Sequence, residues 1–157
     1  MVETLVAAIL VAVFFATIFE VNAVCLRYID ASKESVAALQ GVQDRLEGLR
    51  NLAFSDLTNA TFVRNLMTTP SNGSDFAQKV TEVVTLSAYP TPDASNTQIT
   101  RGPGASVTPT INSTDASLAD QPGKLVKVNV TYTWTMTLGG RSCTEQTETI
   151  ISSGTKK

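Results

Sequence analysis

The chain has 157 residues, a formal charge of −2 and 43% hydrophobic content, enough for one small domain and no second core. The near-neutral balance, with no basic run beyond Lys156-Lys157, argues against nucleic-acid binding. There is no histidine, no Gly-rich phosphate loop and only two cysteines, which excludes the usual zinc site and histidine-activated nucleophiles.

Residues 5–19 read Leu-Val-Ala-Ala-Ile-Leu-Val-Ala-Val-Phe-Phe-Ala-Thr-Ile-Phe, an apolar run that Thr17 alone interrupts. It continues past Glu20 and Asn22 to Val24, Cys25 and Leu26, and 26 helical residues span roughly 39 Å, enough to cross a bilayer. No Lys or Arg precedes it, unlike a secretory signal peptide, so it is expected to be a retained segment. Glu20 and Asn22 read as its solvated boundary. Glu3 stands beside this run, where burying an ionised carboxylate costs about 2.5–3.5 kcal/mol, so it calls for a partner. In a stack of identical chains, the terminal amine of Met1 can meet the Glu3 carboxylate of a neighbour, and in an apolar core that pair sets the register.

The first glycine is Gly41 and the first proline is Pro70, so the helix is expected to run on, ending between residues 52 and 56. Its second half carries Ile29, Val36, Leu39, Val42, Leu46 and Leu49 at helical spacing, one stripe for a globular core. Asp30, Lys33, Glu34, Asp44, Arg45 and Glu47 occupy other faces. Ser32-Lys33 and the Asp30/Glu34 pair read as a solvated surface rather than as catalytic groups.

Residues 56–124 are rich in Thr, Ser, Asn, Asp, Pro and Gly. Phe62, Val63, Leu66 and Met67 predict a short helix started by Thr58 or Asn59. Residues 79–89 read as a strand, and 90–123 as a long surface excursion with short strands at most, for example near 97–100. Asp75, Asp93, Asp115 and Asp120 are too scattered for a calcium motif. Asn59, Asn72, Asn112 and Asn129 match the N-glycosylation pattern, as chance allows in so Asn/Ser/Thr-rich a chain.

The last segment is the clearest β signal: Val126, Val128, Val130, Tyr132, Trp134 and Met136 alternate with polar residues. A two-residue turn at Gly139-Gly140 would set Met136 opposite Cys143, Trp134 opposite Glu145 and Val128 opposite Ile151. The apolar side of this hairpin is expected to pack on the stripe from Ile29 to Leu49. Cys25 and Cys143 read as two buried free thiols, with a disulfide between them as the alternative should the hairpin tip reach the helix near residue 25.

Met-Val-Glu-Thr-Leu-Val-Ala-Ala-Ile-Leu-Val-Ala-Val at residues 1–13 resembles the amino terminus of type IV pilins and of type II secretion pseudopilins. In that family the glutamate lies fifth in the mature chain. Here it is third, so either two mature residues precede Met1 or the processed end is Met1 with a shorter spacing. The resemblance implies an α+β, pilin-like fold, with a long helical spine on a small carboxyl-terminal antiparallel sheet. Its parts are an apolar filament-core helix at 1–26, an amphipathic half-helix at 27–55, a variable region at 56–124 and a carboxyl-terminal hairpin at 125–157. It further implies a structural subunit and not an enzyme, without a cofactor, assembled into a homo-oligomeric helical filament through Met1, Glu3, Leu5, Ile9, Val13 and Phe14. The implied partners are a prepilin peptidase, the inner-membrane assembly machinery and the membrane before assembly; the implied destination is an extracellular filament. A minor pseudopilin of a secretion system and a single-span anchored binding domain are the alternatives.

Overall fold

The computed structural model describes residues 1–90, 96–113, 125–137 and 139–154. A single helix, α1 (Val2–Arg50), is unbroken through the apolar run and well beyond it. It stops slightly short of the expected 52–56, because Ala53 is extended and its carbonyl starts α2 (Phe54–Leu57). That turn lets Leu52 and Phe54 pack back onto the core. The expected short helix is α3 (Ala60–Leu66); of the two candidate caps, Asn59 fills the role, its side chain accepting from the N–H groups of Thr61 and Phe62.

The strands β1 (Thr81–Ala88), β2 (Asn96–Arg101), β3 (Thr110–Ser113), β4 (Leu125–Thr135) and β5 (Ser142–Ser152) form one antiparallel five-stranded sheet, ordered β3-β2-β1-β4-β5. This is the α+β layout of a long spine helix on an antiparallel sheet. The spine packs across β4 and β5, and α3 lies against β2 and β3. Val126, Val128, Val130, Tyr132 and Trp134 all point inward, as the alternation requires. With Val42, Leu46 and Leu49 of α1, Val84 and Leu86 of β1 and Ile99 of β2, they make the core.

Four expectations need correction. Ile29, Val36 and Leu39 are not core residues: they are 51%, 56% and 41% exposed. The helix instead meets the sheet through Ala31, Ala38 and Gly41 above Val42, Leu46 and Leu49. At Gly41 the absence of a side chain matters because the Tyr132 ring fills the space that one would need.

The segment 90–123, expected as a surface excursion with short strands at most, does hold a strand at the expected place near 97–100, but that strand lies inside the sheet rather than on the surface. This strand, β2, pairs with β1 on one side and β3 on the other, and Thr97, Ile99 and Arg101 are buried. The prolines flank β2 instead of interrupting it, leaving its ladder intact.

The hairpin register differs by two residues: Trp134 pairs with Cys143, Tyr132 with Glu145 and Val128 with Thr149. Met136 N–H donates to the Arg141 carbonyl, so the connection is longer than Gly139-Gly140, though both glycines do have positive φ. An even shift keeps the same side chains inward, which is why the predicted face survives the wrong turn length.

Finally, Cys25 and Cys143 are both free thiols, and Cys25 is exposed rather than buried because its stretch of α1 projects beyond the sheet.

Candidate functional site

The amino-terminal half of α1 is exposed at every residue. Met1, Glu3, Leu5, Ile9, Val13 and Phe14 are all exposed, and the helix contains an 18-residue window of mean hydropathy 2.5 with none of it buried, long and apolar enough to cross a membrane. The hydroxyls in this half are satisfied within the helix. Thr17 Oγ1 donates to the Phe14 carbonyl at 2.8 Å and Thr4 Oγ1 to the Met1 carbonyl at 2.9 Å. Such self-bonding removes the cost of placing threonine in an apolar medium. Glu3, Glu20 and Asn22 are the polar side chains left on that surface.

Beyond residue 26 the helix changes to two faces. One carries Ala31, Ala38, Val42 and Leu49 against the sheet. Away from that stripe Tyr28, Ile29, Val36 and Leu39 stand exposed, the first three forming an open groove with Ser32, Lys33, Ala37 and Gln40. This apolar face continues the character of residues 1–26 past the point where the composition turns amphipathic.

What holds the head at a set angle on the spine is polar. Glu82 of β1 is fully buried between two guanidinium groups. Arg45 of α1 donates from Nε to Glu82 Oε1 at 2.5 Å and from Nη2 to Oε2 at 3.2 Å; Arg101 of β2 donates from Nε to Oε2 at 3.0 Å. The remaining donors reach backbone carbonyls: Arg45 bonds Leu66 and Thr69, while Arg101 bonds Ala77 and Gly104. One cluster thus ties α1, β1, β2 and two connecting loops. Satisfying nearly every donor is what makes burial of these charges tolerable.

Arg45, expected on a face other than the core stripe, is instead buried against the head. Its position four residues before Leu49 and three after Val42 places it on the inner stripe, and the long side chain reaches across to Glu82. The sequence did carry a signal for the other two members. Glu82 is in phase with Val84 and Leu86, and Arg101 with Ile99, so both point inward, and they face each other in the β1–β2 register.

Tyr132 lies against the same cluster. Its hydroxyl donates to Ser71 Oγ at 2.5 Å, and its pKa is pushed up to about 12, chiefly by burial and then by the Glu82 charge. At the other end of the head, Glu34 is more than a solvated carboxylate: it accepts from the Thr137 N–H and hydroxyl, fastening the β4–β5 turn to α1. Asp30 and Lys33 do form an exposed ion pair at 3.5 Å.

Among the described residues no group of His, Cys, Asp or Glu side chains could hold a metal ion. Of the four aspartates considered for calcium, Asp93, Asp115 and Asp120 lie outside the described residues. Comparison with protein-family models, with curated proteins and with solved structures returned no match.

Proposed function

We propose that this chain is a structural subunit of the type IV pilin or pseudopilin kind, which polymerises through α1 into a helical filament. The observation that carries the reading is the exposed face of Tyr28, Ile29, Val36 and Leu39. A single-span anchor needs apolar surface only where lipid covers it, whereas this face extends about 20 Å past residue 26 at 1.5 Å per residue. Leaving it wet costs roughly 25 cal/mol per Å² of apolar area relative to covering it, which favours packing against neighbouring copies. The amino-terminal half then forms the filament axis, with Glu3 pairing to the Met1 amine of the next subunit. No chemistry on a substrate is proposed. The subunit rests in the membrane before assembly, with a prepilin peptidase and inner-membrane machinery as its partners there, and the filament then extends outside the cell.

The test uses Val36→Asp and Ile29→Asp in the full chain. Both positions are exposed, so the head should melt as the parent does, while filament yield should collapse. Normal filaments from the double variant would favour the anchored-domain reading.

A further inference from the structure

The loop between α3 and β1 returns over α1, and there the side-chain amide of Asn72 is held at both ends. Its Oδ1 accepts from the Ser74 N–H at 3.1 Å and from Ser74 Oγ at 2.6 Å. Its Nδ2 donates to Asp44 Oδ2 of α1 at 2.7 Å. The next residue is Gly73, exposed and with no heavy atom within 4 Å of the place a Cβ would occupy. We infer that Asn72-Gly73 is a self-modification site, at which the asparagine converts to aspartate and isoaspartate and releases the loop from the spine.

The chemistry balances without an outside oxidant or reductant. The Gly73 backbone nitrogen attacks Asn72 Cγ, and glycine leaves that approach unhindered. Negative charge builds on Oδ1, where two donors already stand, the arrangement that stabilises an oxyanion. The Cγ–Nδ2 bond breaks and ammonia departs with the proton given up by the Gly73 N–H. The Asp44 carboxylate lies against the departing nitrogen and can pass that proton. Water then opens the resulting succinimide at either carbonyl. The net change is one amide and one water converted to one carboxylate and one ammonia.

The product alters the seam between loop and spine. A carboxylate at residue 72 faces the Asp44 carboxylate where an N–H donor stood, so an attraction becomes a repulsion of like charges. Its neighbour Ser71 accepts the Tyr132 hydroxyl, so loosening the loop also disturbs the contact above Gly41. Because the hydrolysis is one-way, the site acts as a clock on each subunit.

The full chain in detergent micelles is incubated at neutral pH, and the peptide carrying Asn72 is followed by mass spectrometry and isoaspartate labelling. Conversion should run faster in the native protein than in the same chain with its head unfolded in urea, and Ser74→Ala should slow the native reaction about a hundredfold by removing one oxyanion donor. Slower conversion in the native state than in urea overturns the proposal, and that comparison needs no variant. An unchanged native rate in Ser74→Ala with the parent melting transition overturns it as well.

Discussion

A Cβ on Gly41 would stand 2.6 Å from Tyr132 Cε2, so the spine meets the sheet there with no room for a methyl group. The ring cannot simply swing away, because its hydroxyl is bonded to Ser71 and its body is buried in the core. Gly41→Ala should therefore destabilise the head, with overpacking of about 1–3 kcal/mol outweighing the helix-propensity gain. Gly48, also in α1, has nothing within 4 Å of the equivalent position, so Gly48→Ala should raise stability by up to about 1 kcal/mol. Urea denaturation of both variants reads the two signs, and equal effects would contradict the close approach.

The buried cluster makes a sharper demand. Glu82→Gln leaves the Arg45 and Arg101 charges facing each other without their counter-ion and should cost about 3–5 kcal/mol, measured by the same denaturation. Replacing all three residues with apolar side chains of similar volume should recover most of that loss. A triple variant as unstable as Glu82→Gln would mean the cluster contributes net stability.

Tyr132 gives the head an alkaline limit. Its pKa is raised from 10.0 to about 12 in the folded protein, so its contribution is intact below pH 10.0 and is lost as pH rises through about 12. The gap corresponds to roughly 2–3 kcal/mol. The stability difference between the parent and Tyr132→Phe should hold steady to pH 10.0 and then shift in favour of the phenylalanine variant. A difference that stays flat to pH 12 would show that the phenol is not buried as described.

Two leucines on one helix should behave oppositely. Leu46 is 8% exposed and part of the core, so Leu46→Ala should cost the head about 2–5 kcal/mol. Leu39 is 41% exposed, so Leu39→Ala should change head stability by less than about 0.5 kcal/mol. Under the proposed function its effect belongs to assembly, read as filament length. If both substitutions lowered the melting transition alike, the helix would be facing the sheet differently.

Under the proposed function, Glu3→Ala should still insert in the membrane but polymerise poorly, because the neighbour's amine would be buried without its counter-charge. Electron microscopy of sheared filaments measures this. Parental yield and length would remove the pairing from the assembly mechanism.

Much of the fold was legible in the sequence because it rests on local periodicity. An apolar run that no proline or glycine breaks before Gly41 dictates a long helix, and strict alternation from Val126 to Trp134 dictates an inward face whatever the turn does. The in-phase placement of Glu82 and Arg101 was equally local. What only the tertiary structure decided is which side of α1 faces the head. Ile29, Val36 and Leu39 share helical spacing with Val42, Leu46 and Leu49, and periodicity assigns all six to one stripe. The choice is sharpest at Gly41, where the bulk of Tyr132 leaves no room for a side chain. That contact joins positions remote in sequence, as does the reach of Arg45 across to Glu82. Local pattern states that a residue is apolar or charged, but packing volume and the pairing of buried charge are settled only when the two surfaces meet.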